Sequence, residues 1–324
     1  MKLFPLHLIP NDTKFDFMRT RWVAVIIAAI MFVASIGLIF GKGFNYALDF
    51  TGGTVVEVRF EKPADVDAVR DHLEGAGYAG AQVQNFGSGS DLLIRLQPQE
   101  LGEGEDAGEA NTRTAQAVLQ AISLADNKAT VMSSEFVGPQ VGRELAMNGV
   151  YAALFVIVGF LIYIGFRFEL KFAIVATLTT LFDVLVTAAF FAATGREVDL
   201  TVLAGLLAVM GFSINDTIVV FDRVRENFRS LRAEPMEIMN RSINQTLSRT
   251  IITSLVFFLS VFALYLYGGG SLESLALSQM IGAVVGTLSS IFIACPLLTM
   301  GALKVTKADL LPKAKDVEEL ARRP

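Results

Sequence analysis

Two aspartates lie inside long apolar stretches of this chain, where ionisable residues are rare. Asp183 stands about eleven residues into the stretch 172–194, and Asp216 lies in the stretch 198–221. An ionised side chain at membrane depth costs several kcal/mol, so such a residue normally faces protein or a water-filled cavity, often on an ion pathway. These two carboxylates therefore predict a functional site at membrane depth, and for Asp216 a structural ion pair or a polar residue satisfied by packing is the alternative.

Arg249 is the cation best placed to act with Asp216, because it stands where the next apolar stretch, 251–268, begins. If the two side chains pair, protonation of Asp216 would break the pair and free Arg249 to move. Two other interpretations of this arginine stay open, a structural ion pair and a contact with lipid phosphates. For Asp183 the alternative is a hydrogen bond that holds helices together.

Other polar and small residues of these stretches are predicted to support the carboxylates or to let helices approach closely. Ser213, Asp216 and Thr217 have the spacing of one helical face. Asp222 and Arg223 are close enough to the membrane surface to form a solvated pair. Ser289 and Ser290 add small polar side chains to the last stretch. The predicted supporting set comprises Ser213, Asn215, Thr217, Thr250, Thr253, Gly282 and Gly286.

The composition argues against most other classes of protein. Of 324 residues, 53% are hydrophobic and 18% charged, whereas soluble domains carry about 25% charged residues. One cysteine, Cys295, and two distant histidines, His7 and His72, favour neither a disulfide framework, nor a metal cluster, nor a histidine-based catalytic triad. No strongly basic face for nucleic acid is present. We therefore expect no metal or other cofactor, and an enzyme is the least favoured class.

Six stretches are long and apolar enough to cross a bilayer as helices: residues 22–40, 148–166, 172–194, 198–221, 251–268 and 275–299. Lysine and arginine concentrate before the first stretch, after the second, between the fourth and fifth, and after the sixth. The alternate short loops, 195–197 and 269–273, contain one basic residue between them, Arg196. By the positive-inside rule, residues 1–21 and 301–324 are cytoplasmic, and residues 41–147 form a domain on the other side.

That external segment reads as a small α+β domain. Strands are predicted at 54–60, 81–86, 91–97 and 129–136, helices at 64–75 and 112–125, and a loop at 98–111. The order strand, helix, strand, strand, helix, strand is typical of a ferredoxin-like sandwich. The predicted fold is thus a polytopic α-helical membrane protein, with the first span at 22–40, the other five within 148–300, and one extracytoplasmic α+β domain.

Several stretches resemble, in order and spacing, the SecF family of the bacterial Sec protein-export machinery. The longest is GFSINDTIVVFDRVREN, residues Gly211–Asn227, and the signature LDFTGG at Leu48–Gly53 follows the first span. The remaining matches are Val137–Pro139, Arg167–Glu169, Ile243–Thr250 and Gly286–Phe292. The likeness covers roughly residues 20–300.

This resemblance implies a multi-pass protein of the bacterial inner membrane, in a fold related to RND transporters. Such a protein acts with a SecD-like subunit beside the SecYEG channel and uses the proton or sodium gradient to draw preproteins outward. The family's ion-coupling aspartate and arginine match Asp216 and Arg249, and its signature matches Asp49, Gly52 and Gly53. The family often has His-Asp in the third span, where this chain has Phe182-Asp183, so a histidine relay does not carry over.

Two alternatives to an ion-coupled translocase subunit remain. One is half of an RND-type transporter for small solutes. The count of six spans argues against it, because such transporters usually have twelve. The other is a non-transporting scaffold that stabilises the channel, a role that needs no titratable residue at membrane depth. Gly52 and Gly53 are more typical of a tight backbone turn than of a phosphate-binding loop.

The predicted topology can be tested with a reporter enzyme that is active only outside the cytoplasm. Fused near Glu105, the reporter should be active, because residues 41–147 lie outside. Fused near Arg232 or Lys313, it should be inactive. Activity at Arg232 would overturn the orientation.

Overall fold

The computed structural model describes residues 13–78, 80–85, 89–97, 107–122 and 127–306. These residues divide into two compact units. One contains Tyr46–Ala152 together with Glu197–Leu200 and is called the α+β unit below; the other, called the helical unit, contains the remaining described residues.

The regular elements within the described residues follow one another along the chain. In order they are α1 (Arg21–Lys42), β1 (Asn45–Tyr46), α2 (Leu48–Thr51), β2 (Gly53–Phe60), α3 (Val66–Gly75), β3 (Gln82–Asn85), β4 (Asp91–Leu96), α4 (Ala107–Ile122), β5 (Ala129–Val137), α5 (Pro139–Arg167), α6 (Leu170–Thr194), β6 (Glu197–Val198), α7 (Leu200–Ser230), α8 (Pro235–Tyr267), α9 (Gly270–Ser289) and α10 (Cys295–Leu297). A π-helical turn, Ser290–Ala294, joins α9 to α10.

Within the described residues, six helices are long and apolar enough to cross a membrane, which confirms the predicted architecture. They are α1, α5, α6, α7, α8 and the continuous run from α9 to α10. Their surroundings differ: 11% of the most apolar window is buried in α1 and in α5, against 56% in α6 and 50% in the last helix. The third and last spans therefore lie at the centre of the helical unit, and the first two are mostly exposed within the described residues.

The fourth and fifth spans are longer than hydropathy alone indicates. The predicted stretches 198–221 and 251–268 leave 29 residues between them, but α7 continues to Ser230 and α8 begins at Pro235. At 1.5 Å per residue, α8 is about 50 Å long, well beyond the bilayer core of about 30 Å. Buried Val224, Phe228 and Ile238 keep an apolar stripe on these polar extensions, so the helices persist after the membrane stretch ends.

The α+β unit contains a four-stranded antiparallel sheet in the order β3-β4-β2-β5. Val56 of β2 lies opposite Ile94 of β4 and Ser134 of β5. With α3 after β2 and α4 after β4, this order is that of the predicted ferredoxin-like sandwich, which is confirmed. One apolar core joins sheet and helices, and its fully buried members include Val56, Leu73, Leu92, Ile94 and Val118.

The predicted loop at 98–111 was partly wrong, because α4 already begins at Ala107. Gly108, Glu109 and Ala110 follow Ala107 in the first turn of α4. Two of these residues are small and one is acidic, a composition that is more typical of a loop. Residues 98–106, Phe86 and residues 123–125 lie outside the described part of the chain.

The LDFTGG sequence forms a compact turn inside the α+β unit. The N–H of Gly52 donates to the carbonyl of Leu48 at 2.8 Å, and Gly52 and Gly53 have φ angles of 70° and 128°. Both angles lie in the region that glycine adopts most easily. A Cβ on Gly142 would lie 2.9 Å from the carbonyl oxygen of Phe50, so α5 passes this turn at a distance that only glycine permits.

Residues 13–17 run along the polar extension of α8 in the helical unit and are held there by two asparagines one turn apart. Asn244 accepts the N–H of Phe15 at 2.9 Å and donates to the carbonyl of the same residue at 2.8 Å. Asn240 accepts the N–H of Phe17 at 2.8 Å. The two amides thus bind the main chain of this segment.

The α+β unit is expected to fold without the membrane part. A soluble fragment of residues 44–143 should give mixed α/β circular dichroism and a cooperative unfolding transition. Leu73→Ala should lower its free energy of unfolding by about 2–5 kcal/mol, because it leaves a cavity in the core. Urea titration followed by circular dichroism measures the difference.

Asp71→Ala is the matched control on the exposed side of the same helix, and its effect should stay within about 0.5 kcal/mol. A featureless spectrum, or equal effects of the two substitutions, would contradict an independently folded core built around α3.

Candidate functional site

Asp183 lies at the centre of the helical unit, where α6, α7 and α9 meet. Its side chain is fully buried. The Ser289 hydroxyl of α9 donates to Asp183 Oδ2 at 2.9 Å, and the Ser213 hydroxyl of α7 donates to the same oxygen. Two hydroxyls from two other helices thus converge on one carboxylate oxygen.

No cation balances this carboxyl group within the described residues: no lysine or arginine nitrogen lies within 4.0 Å of it. The second oxygen, Oδ1, also has no hydrogen-bond partner among them. A buried, unpaired charge is costly. Asp183 is therefore suited to hold a proton or a monovalent cation.

Gly282 and Gly286 let α9 approach this site closely. A Cβ on Gly282 would lie 2.1 Å from Cγ2 of Val209 on α7, so no side chain fits there. A Cβ on Gly286 would lie 3.4 Å from Cβ of Ser213 and 3.6 Å from Oδ2 of Asp183, which is ordinary contact. The missing side chain at Gly282 therefore permits the short distance between α9 and α7, and Gly286 faces the carboxyl group of Asp183.

Asp216 forms a second buried site, on α7 against α8. It is 3% exposed, and its Oδ2 accepts the hydroxyl proton of Ser254 at 3.0 Å. Thr217 and Thr250 are also buried, and their hydroxyls have no hydrogen-bond partner among the described residues. The buried face of α8 therefore meets Asp216 through Ser254, with Thr250 one turn away on the same side.

Arg249 does not pair with Asp216 in this conformation, so the direct pair that the sequence leaves open is not formed here. Its side chain is exposed, and no bond of 4.0 Å or less joins the two residues. Arg249 precedes Ser254 by five residues, which is about 7.5 Å along the helix axis and about 140° around it. The residue that faces Asp216 is therefore the serine.

Two of the predicted supporting residues lie away from the sites. Asn215 is exposed, since it stands about 100° around the helix from Asp216. Thr253 is exposed, and its hydroxyl donates to the carbonyls of Arg249 and Thr250 in its own helix. Neither side chain contributes to a buried carboxyl site.

The predicted Asp222–Arg223 pair is also wrong. Asp222 lies 3.8 Å from Arg167 at the end of α5, and Arg223 binds Glu226 at 2.9 Å. Adjacent residues of a helix point in different directions, whereas residues three apart are neighbours.

Asp49 of the LDFTGG turn binds backbone within the α+β unit: its Oδ2 accepts the N–H of Leu200 at 3.0 Å. It belongs to a different unit from the two buried carboxyl sites and has a structural contact of its own. Phe182 is almost buried and lines an apolar cavity of about 350 Å³ with residues of α1 and α9, among them Val23, Ile27 and Leu288. The residue before Asp183 thus faces an apolar environment.

Sequence reasoning missed Ser254 as the partner of Asp216, and it named Ser289 only as a small residue of the last span. The spacing Thr250-x-x-x-Ser254 offered a signal, because it places two hydroxyls on one face of α8. Among the described residues, no group of three or more histidine, cysteine, aspartate or glutamate side chains could hold a metal ion.

Comparison with known proteins gives consistent matches along most of the chain. A family model described as "Protein export membrane protein SecD/SecF, C-terminal" matches residues 117–304, and the "SecD/SecF GG Motif" matches residues 37–64. A protein translocase subunit SecF of Escherichia coli is 43% identical over 285 residues, 87% of this chain and 86% of that protein. One of Calditerrivibrio nitroreducens is 44% identical over 297 residues, 90% of this chain and 96% of that protein.

A solved structure gives the same result for the fold. The crystal structure of SecDF from Thermus thermophilus, described as a translocon-associated membrane protein, superposes with a TM-score of 0.78 at 37% identity and covers 91% of this chain. The chain spans 39% of the length of that SecDF protein.

The two glycines of α9 give a matched test of helix packing. Gly282→Ala should lower the thermal unfolding midpoint in detergent by a few degrees, because overpacking at Val209 costs about 1–3 kcal/mol. Gly286→Ala should change it less, since the added methyl finds ordinary contact distances. If Gly286→Ala proves the more destabilising of the two, the packing of α9 against α7 is not as described.

Proposed function

Because this chain belongs to the SecF family of protein translocase subunits, we propose that it is an accessory subunit of protein export that couples a transmembrane ion gradient to late steps of preprotein transport. It belongs among transport subunits and not among enzymes. The proposed setting is the bacterial inner membrane, with both termini in the cytoplasm and the α+β unit outside.

The proposed partners are a SecD-like subunit, the SecYEG channel and the moving preprotein. The SecD-like subunit is supported by the superposition on SecDF, of which this chain matches one part. Co-purification in mild detergent tests the set. Recovery with the SecD-like subunit and the channel supports the translocase, whereas recovery of this chain alone would favour a separate transporter.

The observation that carries ion coupling is the pair of buried carboxyl groups at membrane depth, Asp183 and Asp216, each bonded to serine hydroxyls and neither to a cation. A scaffold needs no such groups, since replacing buried polar groups by apolar ones usually preserves stability. A site that takes up and releases a proton or sodium ion does need them. Hydroxyl partners suit this role, because a hydroxyl can donate to an ionised carboxylate or accept from a protonated carboxyl.

The proposed switch lies between Asp216 and Arg249. With Asp216 protonated, the hydroxyl of Ser254 satisfies the carboxyl and Arg249 stays at the surface of α8, as in this structure. Loss of the proton leaves a buried negative charge, which attracts the guanidinium inward. Because Arg249 and Ser254 are about 7.5 Å apart along α8, the exchange of partners requires α7 and α8 to shift against each other. That shift is the proposed mechanical output of the ion.

Asp216→Asn tests the coupling role. The amide keeps the shape and can still bind Ser254 but cannot ionise, so assembly should survive while export falls to the level measured without an ion gradient. Preprotein translocation into proteoliposomes, with and without an imposed gradient, measures the effect. Asp222→Asn is the control. It makes the same change six residues further along α7, at an exposed position, and should leave the gradient response intact.

Substitutions of Arg249 and Ser254 are tested in the same translocation assay. Arg249→Lys should impair the response less than Arg249→Met, because it keeps the charge but loses the planar guanidinium. Ser254→Ala should weaken the response, since a hydrogen bond to an ionisable group contributes about 1.5–3 kcal/mol. The double variant Asp216→Asn, Arg249→Met should be little worse than either change alone if the two residues form one switch.

Full gradient stimulation in Asp216→Asn would exclude this residue from coupling. If the loss of transport instead follows a loss of complex recovery, the scaffold explanation is the correct one.

A further inference from the structure

A second cavity of the helical unit lies beside Arg249 and takes no part in either carboxyl site. It measures about 320 Å³, within the range of small-ligand pockets. The helices α5, α7 and α8 enclose it. Its charged and aromatic lining consists of Tyr163, Arg167, Phe168, Asp222, Arg223, Glu226 and Arg249.

Three guanidinium groups face two carboxylates in this cavity, which leaves a formal charge of +1. Glu226 is bound by Arg223 at 2.9 Å, and Asp222 lies at a looser 3.8 Å from Arg167. Arg249 has no carboxylate within 4.0 Å among the described residues. Its guanidinium and that of Arg167 are the groups available to an anion.

The location of the cavity indicates the source of that anion. Arg167 is the last residue of α5, and Tyr163 lies one turn before it. Tyr163 is 61% exposed on a helix whose apolar window is only 11% buried, so this side of the cavity is open at the end of a membrane span. Tyrosine and arginine at the end of a membrane span are typical of the headgroup region, and basic pockets between spans bind anionic headgroups.

We propose that this cavity binds the phosphate group of an anionic phospholipid. Arg249 and Arg167 hold the phosphate oxygens, and Arg223 adds positive charge. Phosphate suits the site because guanidinium donors match its oxygens in paired hydrogen bonds. Lipid binding does not depend on the proposed ion coupling, although a phosphate on Arg249 would compete with Asp216 for that guanidinium wherever coupling operates.

Lipid retention by the purified full chain tests the site. The protein is equilibrated in detergent with equal amounts of phosphatidylglycerol and phosphatidylcholine, and the bound lipids are counted by native mass spectrometry. The wild type should retain phosphatidylglycerol preferentially. Arg249→Gln and Arg167→Gln should each weaken its binding by about tenfold, because each removes a charge-assisted hydrogen bond.

Arg232→Gln is the matched control. It removes an exposed arginine from the link between α7 and α8, outside the cavity, and should leave lipid retention unchanged. Arg249→Lys keeps the charge and should retain more phosphatidylglycerol than Arg249→Gln does. The thermal unfolding midpoints of all variants should be equal, because the substituted arginines are exposed. Equal midpoints establish that the variants are folded.

Equal retention of the two lipids by the wild type would overturn the proposal, and so would equal losses in Arg249→Gln and Arg232→Gln. A third arm adds inorganic phosphate. If the wild type binds inorganic phosphate in an Arg249-dependent manner but retains the two lipids equally, the ligand is free phosphate and the lipid is excluded. Retention of the lipid in the presence of phosphate supports the headgroup site.

Discussion

A carboxyl group inside a membrane protein must find its hydrogen bonds within the protein, and the helical unit is built around that requirement. Asp183 binds Ser213 of α7 and Ser289 of α9, which fixes α6, α7 and α9 as neighbours at one depth. The close approach of Gly282 to Val209 follows from the same arrangement, because a serine hydroxyl is short and reaches a carboxylate only when the helices nearly touch. The most buried spans are accordingly those that meet at this aspartate or lie next to it.

Asp216 differs from Asp183 in what surrounds it. Asp183 is enclosed by helices at the centre of the unit, while Asp216 faces α8, of which only 17% of the most apolar window is buried. Most of this window of α8 is thus exposed, although the helix also packs along α9. One carboxyl group is therefore enclosed by helices, and the other lies against a helix that is exposed along much of its apolar stretch, although both use serine as the partner.

The sequence predicted those features that depend on a residue type unusual for its surroundings or on a regular order of elements. Asp183 and Asp216 stood out because charges in apolar stretches are costly, and the α+β unit was readable from the order of its short strands and helices. Ser254 did not stand out, because serine is common in membrane helices and can satisfy itself on its own backbone. Depth along a span could be counted from the sequence, so Arg249 was placed near Asp216.

Rotation about the helix axis could not be read in the same way, since an apolar span shows little contrast between its faces. This is why the exposed Asn215, Thr253 and Arg249 were grouped with the buried residues next to them. The ends of α7 and α8 were missed for a related reason. Hydropathy reports where lipid contact stops, whereas a helix stops where its hydrogen bonds and packing do, and Val224 and Phe228 carry the packing further.

The two asparagines of α8 bind residues 13–17 through the peptide groups of Phe15 and Phe17, not through the phenyl rings. Every residue except proline carries the same N–H group, so this attachment reads backbone geometry and is largely indifferent to side-chain identity. Over evolutionary time these two peptide contacts tolerate other side chains at positions 15 and 17, proline excepted, although the ring of Phe17 also packs against Phe292. Substitution of Asn240 or Asn244 would remove these contacts outright, and substitution of Asp16 would remove a further bond, because its Oδ1 accepts an amide proton of Asn240 at 3.1 Å.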